Sequence, residues 1–240
     1  MLIVQKYGGS SLADAARIRK AAGRIAALAQ QGHKLIVVVS AQGDTTDLLL
    51  ARLQDLTETP DPRELDAYVS TGEQMSAAMM AMALRDMGVP AVSLTGWQAG
   101  LFSNDRHTDA QVLGLRNDRI RKTLEKGMVA VVTGFQAATA EGDITTLGRG
   151  GSDTTAVALA AFLQADKCMI YTDVDGVYDK DPRLYPDALR FDTISYDDML
   201  ALARQGAQVL HDRCVILGKR YGVRIQVLSS FRPGEGTMVQ

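Results

Sequence analysis

The chain has 240 residues, 46% of them hydrophobic, enough for one large α/β domain or two small ones with a substantial core. A net charge of −2 and a pI near 5.9 offer no basic surface for nucleic acid, and two cysteines without C-x-x-C spacing, Cys168 and Cys214, suit a reduced compartment with buried thiols. MLIVQKYGGSS has no basic n-region, and no run approaches the roughly 18 apolar residues of a bilayer span, so the expectations are no signal peptide, no membrane and a cytoplasmic location.

In chain order, Leu2 to Val4 is a short apolar run that reads as a buried strand and delivers Lys6 at its C-terminal end. Gly8-Gly9-Ser10-Ser11 follows. From Asp14 to Gln30, Ile18, Ile25 and Leu28 recur near helical spacing, and Gly32 stops the helix. Leu35 to Val39 is continuous and β-branched, as in a parallel strand covered on both faces, and it ends in the polar loop Ser40 to Asp47. Thr57 to Pro62 is a short linker rather than a domain boundary. Arg63 to Met87 reads as one long helical stretch containing the polar group Ser70-Thr71-Gly72-Glu73. Its Met75, Met79, Met80 and Met82 read as core filler in preference to a binding surface. Val89 to Leu94 is a strand, Trp97 to Asp109 is irregular or hairpin-like, Asn117 to Lys126 is a helix and Met128 to Thr133 a buried strand leading to Gly134-Phe135-Gln136.

The stretch Thr145 to Ala156, TTLGRGGSDTTA, is the strongest local signal. Gly148, Gly150 and Gly151 permit positive φ and close backbone approach. Arg149 stands between them, and Ser152 and Asp153 are N-cap residue types ahead of an Ala/Leu-rich helix. A glycine loop that presents backbone N–H groups and one Arg at a helix N-terminus is an anion-binding design; the alternative is a surface turn before a capped helix. Downstream, Cys168 to Tyr171 is a strand ending in Thr172-Asp173-Val174-Asp175-Gly176-Val177-Tyr178. Tyr196 to Arg204 and His211 to Tyr221 are helices, Arg224 to Leu228 is a strand and Thr237 to Val239 an edge strand. Strand and helix alternate throughout, so the expected fold is α/β, a three-layer αβα sandwich with a mostly parallel central sheet.

Ligands bind such sheets outside the carboxyl ends of the strands, where the polar clusters here all fall. Neither G-x-x-x-x-G-K-[ST] nor G-x-G-x-x-G occurs, which argues against a P-loop kinase and against a dinucleotide site. Two glycine loops, a Lys, an Arg and several acids suit phosphoryl transfer, which needs positioning and charge neutralisation more than a nucleophile–base pair. The three histidines are scattered. His33 reads as a solvated turn, His211 as packing or capping a helix, and His107 as a loop residue in preference to a substrate contact.

Taken together, Lys6-Tyr-Gly-Gly-Ser-Ser11, Ser40-Ala-Gln-Gly-Asp-Thr-Thr46, Ser70-Thr-Gly-Glu73, Gly134-Phe-Gln136, Thr145 to Ala156, Tyr171 to Tyr178 with Asp181-Pro-Arg183, and the tail Ser229-Ser-Phe…Gly236-Thr237 resemble the catalytic domains of the aspartate kinases, in the amino acid kinase superfamily. The resemblance covers essentially all 240 residues, as one catalytic domain. It implies an N-terminal part that binds L-aspartate, a C-terminal part that binds ATP, and transfer of a phosphoryl group to the β-carboxylate, the reaction that opens the route to lysine, threonine and methionine. Lys6 would bridge the transferring phosphoryl group and Asp153 would orient the phosphate-binding groups. Arg149, with Gly150 and Ser152 beside it, would clamp the α-carboxylate; Glu73 would hold the α-ammonium; Ser40 and Thr46 would add hydrogen bonds. Tyr7, Gly8, Gly9, Thr172, Asp173, Tyr178, Arg183 and Gln208 would join Lys6 around the nucleotide, whereas Asp175 reads as turn chemistry. Mg²⁺ would be held mainly by ATP phosphates and water, with no protein ligand named.

Two departures stand out. Gln208 occupies the position where the relatives usually carry a Lys, which places Lys180 or Lys219 as candidate replacements for the missing charge. The chain also stops at Gln240, where most relatives continue into ACT regulatory domains. It therefore reads either as an excised catalytic domain or as one working without regulation in the same chain, with a separate ACT-type subunit and a homodimer as the partners to test for. A superfamily kinase with another carboxylate acceptor and a weakly catalytic binding subunit are the alternative readings.

Overall fold

The computed structural model describes residues 1–182, 184–204 and 209–240. Two sheets organise it. The larger has eight strands in the order β10-β12-β11-β9-β1-β2-β6-β3, where β1 is Leu2–Tyr7, β2 Lys34–Val39, β3 Ala91–Leu94, β6 Val129–Thr133, β9 Lys167–Thr172, β10 Thr193–Ile194, β11 Ile225–Ser229 and β12 Thr237–Val239. Every pairing in it is parallel except β11 with β12. The smaller sheet, β5-β4-β7-β8, joins β4 (Leu101–Ser103), β5 (Val112–Leu115), β7 (Gln136–Ala138) and β8 (Ile144–Thr146).

Alternation along the central strands builds the layers. In β1, Val4 points to one face and Ile3 and Tyr7 to the other. Val4, Ile36, Val38, Ala130 and Val132 meet α7 (Gly151–Leu163), α8 (Tyr196–Arg204) and α9 (Asp212–Tyr221). Ile3, Tyr7, Leu35, Val37, Val39 and Val131 meet α1 (Ala15–Gln30) and α4 (Thr71–Asp86). Helices on both faces explain why β2 and β6 read as unbroken apolar runs. The three-layer α/β architecture thus follows from the strand pattern.

Several local expectations change. The stretch from Arg63 to Met87 is two helices, α3 (Pro62–Val69) and α4, meeting at Ser70, whose N–H bonds to the Asp66 carbonyl at 3.1 Å. Only Met80 of the α4 methionines fills the core; Met75, Met79 and Met82 are exposed, because the helix turns Ala77, Ala81 and Leu84 inward with Met80. The segment from Trp97 holds a four-residue helix, α5 (Gly96–Ala99), then β4 and β5 of the smaller sheet. Helix α2 (Thr45–Gln54) contributes no fully buried side chain, and α6 (Asp118–Glu125) buries Ile120 and Leu124. No helix among the described residues is long and apolar enough to cross a membrane.

Candidate active site

The carboxyl ends of β1, β2 and β6 open onto a cavity of about 350 Å³. Lys6 reaches it because side chains alternate along β1: it shares the face of Val4 and points at α7, where its Nζ lies 2.6 Å from Asp153 Oδ1. Both side chains are nearly enclosed, at 12% and 13% exposure. Asp153 stands in the first turn of α7, where the helix dipole favours a negative charge.

The cap of α7 differs from the sequence expectation. The N-cap is Gly150, at φ 68° and ψ 14°, and the helix starts at Gly151, so Ser152 and Asp153 lie inside the first turn. Gly151 N–H bonds to Gly148 O at 3.0 Å and Thr154 N–H to Gly150 O at 3.0 Å. No side chain caps the helix, so its second and third N–H groups, those of Ser152 and Asp153, have no partner within it. Glycine is required at 150, because a Cβ there would collide with the His211 side chain as well as strain the backbone. Gly134 has a matching role: a Cβ would sit 2.5 Å from Ser152 Oγ.

Arg149 projects from this loop, exposed, and among the described residues it has no carboxylate partner. Glu73 lines the same cavity. Its Oε1 accepts the Ala41 N–H at 3.0 Å, while its buried Oε2 has no hydrogen-bond partner. Burial raises its pKa to about 7 against the partial relief of that backbone bond. Ser40 and Thr46 line the same cavity, as does Gly9. An exposed guanidinium beside a helix N-terminus, in one cavity with a buried carboxylate that has one free oxygen, suits a zwitterion with an anionic and a cationic end.

Not every candidate converges there. Tyr7 is placed differently from expectation: the alternation that aims Lys6 at α7 turns the Tyr7 ring into the opposite core layer. There it is fully buried and stacks on Tyr171 with ring centroids 4.7 Å apart. Gly8 donates its N–H to Tyr171 O at 3.4 Å and does not line the cavity itself, but it lies beside Lys6: a Cβ there would sit 3.5 Å from Lys6 Nζ. Thr172 and Asp173 lie one strand over, at the end of β9, with Thr172 Oγ1 donating to Asp173 Oδ1 at 3.0 Å; Tyr178 donates its hydroxyl to Asp175 at 2.9 Å. These three residues do not line the cavity. Arg183 and Gln208 lie outside the described residues. Lys180 pairs with Asp187 at 2.7 Å and Lys219 with Asp197, both at the surface. His107 holds buried Asp66 at 3.0 Å, and His211 sits at the N-cap of α9 beside Asp212 at 2.8 Å.

Phe135 is the residue that sequence reasoning passed over. It lines the cavity at φ 69°, in the left-handed region, with its N–H bonded to Thr155 Oγ1 at 3.1 Å. The Gly134-Phe135-Gln136 run at the end of β6 marked the place but not the conformation. A bulky residue held at positive φ is an outlier that tends to gather at functional sites.

Comparison with known proteins fits this geometry. A model of the Amino acid kinase family matches residues 1–229. The aspartokinase of Thermus thermophilus is 52% identical over 239 residues, covering all of this chain and 59% of that protein; that of Geobacillus stearothermophilus is 50% identical with the same coverage. The chain therefore spans about three fifths of the length of the curated relatives it matches. Among solved structures, aspartate kinase from Synechocystis superimposes with a TM-score of 0.89 at 47% identity, over the whole chain and 40% of that structure. Escherichia coli aspartokinase III, in complex with aspartate and ADP, superimposes with a TM-score of 0.90 at 29% identity, over the whole chain and 64% of that structure. Matched over 229 of its 240 residues, this chain belongs to the amino acid kinase family.

Proposed function

We propose that the chain phosphorylates the β-carboxylate of L-aspartate with ATP, giving 4-phospho-L-aspartate and ADP at the entry to lysine, threonine and methionine biosynthesis. The observation that carries this is that Arg149 and Glu73 line one cavity together with the Lys6–Asp153 pair. Arg149, with the N–H groups of the α7 first turn, takes the α-carboxylate. The free oxygen of Glu73 takes the α-ammonium, whose positive charge draws the Glu73 pKa back down on binding. The two ends leave the side-chain carboxylate as the acceptor, and at neutral pH it is already ionised, so no general base is needed.

The remaining difficulty is bringing one anion up to another. Lys6 supplies a fixed cation whose stabilisation grows as charge redistributes in the transition state. Asp153 holds the Lys6 ammonium in place before the nucleotide arrives, so little reorganisation is needed at the moment of transfer. Mg²⁺ would be carried mainly by the nucleotide's own phosphates and by water, with no protein ligand assigned to it. Mg²⁺ bound in that way supplies further neutralisation of the phosphate charge. In this reading Thr172 and Asp173, at the end of the strand beside β1, and Tyr178 take the nucleotide together with Arg183 and Gln208. The names of the relatives support aspartate as acceptor, and aspartokinase III in its complex with aspartate and ADP supports the two-substrate arrangement.

The test is an ADP-release assay on the purified chain across L-aspartate, D-aspartate, L-glutamate, N-acetyl-L-glutamate and uridine monophosphate. L-Aspartate should be preferred, and removing its α-amino group should abolish turnover. Equal use of N-acetylated and free amino acids would refute the role of Glu73.

A further inference from the structure

Asp66 lies outside the cavity and is completely buried, yet its carboxylate meets three polar groups. Oδ1 accepts the Thr146 hydroxyl at 2.6 Å; Oδ2 accepts the Thr108 N–H at 2.9 Å and faces His107 Nδ1 at 3.0 Å. A buried charge is a costly way to join three segments, and a fold that needed only packing there would be served by an apolar side chain. We propose that Asp66 is a positioning residue for the amino-acid substrate, setting the separation between Arg149 and Glu73. The proposal rests on the reading in which those two residues hold the α-carboxylate and the α-ammonium.

Both side-chain arms of Asp66 end beside the loop that carries Arg149. Thr146 is three residues before Arg149, and its backbone is held as well, with its carbonyl accepting the Ala110 N–H at 2.9 Å. Thr108 has φ 65°, a left-handed conformation that a β-branched residue adopts only when its surroundings hold it there. The Asp66 carboxylate on its N–H is that hold. So fixed, Thr108 and Asp109 form the wall behind Gly148: a Cβ on Gly148 would lie 2.9 Å from Asp109 Oδ1 and 3.3 Å from Thr108 O. Asp109 also pairs with Arg213, which donates to Leu147 O at 3.1 Å. The Arg149 loop is thereby held from both ends of this wall.

On its other side, Asp66 belongs to α3. Its carbonyl accepts the Ser70 N–H, and the Ser70 carbonyl accepts Gln136 Nε2 at 2.9 Å. Glu73 follows in the first turn of α4. One buried carboxylate therefore ties α3, which runs through Ser70 into the helix carrying Glu73, to the loop carrying Arg149. A substrate whose ammonium and carboxylate sit on one carbon needs that spacing fixed to a fraction of an ångström, because misplacement weakens both contacts at once. ATP touches neither.

Asp66→Asn keeps the shape but leaves one acceptor oxygen where two now serve the Thr146 hydroxyl and the Thr108 N–H. It should raise KM for L-aspartate about tenfold, which is about 1.4 kcal/mol, with KM for ATP and kcat within about twofold. Thr146→Val removes one arm only and should raise the same KM by a smaller factor. In Asp66→Asn, adding Thr108→Gly should recover part of the loss, since glycine takes positive φ unaided. Where Asp66→Asn does not yield folded protein by circular dichroism, Thr146→Val is judged by the same split. An unchanged KM for aspartate, equal rises in both KM values, or a loss confined to kcat or to melting temperature would overturn the proposal. Arg149→Ala separates the two levels. If it leaves KM for aspartate unchanged, the carboxylate assignment fails and this inference falls with it; if it raises KM while Asp66→Asn does not, only the positioning role fails.

Discussion

Replacing Glu73 by Gln should make the protein more stable and a poorer binder of its amino acid. Glu73 is 3% exposed, and burial lifts its carboxyl to about 7 from an ordinary 4.5. A folded-state pKa above the unfolded one means that the folded protein binds the proton more tightly. Its stabilising contribution is therefore complete below about pH 4.5 and is lost as pH rises through about 7. Integrated, the ionised carboxylate costs roughly 3 kcal/mol of stability at pH 8 and under about 1 kcal/mol at pH 5. Gln keeps an oxygen for the Ala41 N–H and carries no charge, so Glu73→Gln should gain most of that difference at pH 8 and little at pH 5. Urea unfolding of both proteins at the two pH values, without substrate, measures it. In the same variant KM for aspartate should rise by about one to two orders of magnitude, because a charge-assisted contact to the ammonium is lost. The wild-type KM for aspartate should climb about tenfold per unit as pH falls below 7, whereas that of Glu73→Gln stays level. A variant no more stable at pH 8 than wild type, or a wild-type KM flat from pH 8 to 6, would refute the reasoning from burial to function.

Lys6→Ala should lower kcat by roughly 10²–10³-fold with a smaller change in KM for aspartate, as expected when one preorganised charge is removed from the transition state; single-turnover rates at saturating ATP check it. Gly150→Ala should destabilise the chain by roughly 1–3 kcal/mol through its positive φ, and by more if the His211 side chain cannot move aside. Its melting temperature should fall by several degrees, and a melt superimposable on wild type would show that the α7 cap is not held as described.

Much of this could be read from the residues. The apolar runs of β1, β2 and β6 and the alternating helices imply the sandwich, and the glycine loop with Arg149 marks one wall of the cavity. What failed had local causes. Tyr7 and Lys6 are adjacent in a motif, but a strand sends neighbours to opposite faces, and without the register nothing says which side is wet. Met75, Met79 and Met82 match helical spacing as well as Met80 does, and only the docking of α4 decides which stripe is inward. The smaller sheet uses strands of three or four residues, too short for a period to register. Phe135 and Thr108 depend on backbone conformations that residue type argues against, so neither the cavity wall nor the Asp66 clasp shows in the letters.

Helix α2 brings Thr46 to the cavity, yet it places none of its ten residues fully in the core, and Leu48 is 60% exposed. An element so lightly anchored opens without disturbing the rest of the molecule, and its amides should exchange with deuterium long before those of α1 or α7. The wall of the cavity that meets solvent is then the part with the least free energy holding it shut. Entry and exit of the amino acid become local events on the microsecond to millisecond scale, while the sheet beneath keeps Lys6 and Asp153 still. Occupancy of the cavity should be visible as slowed exchange in α2, a signal that reports binding from the edge of the molecule inward.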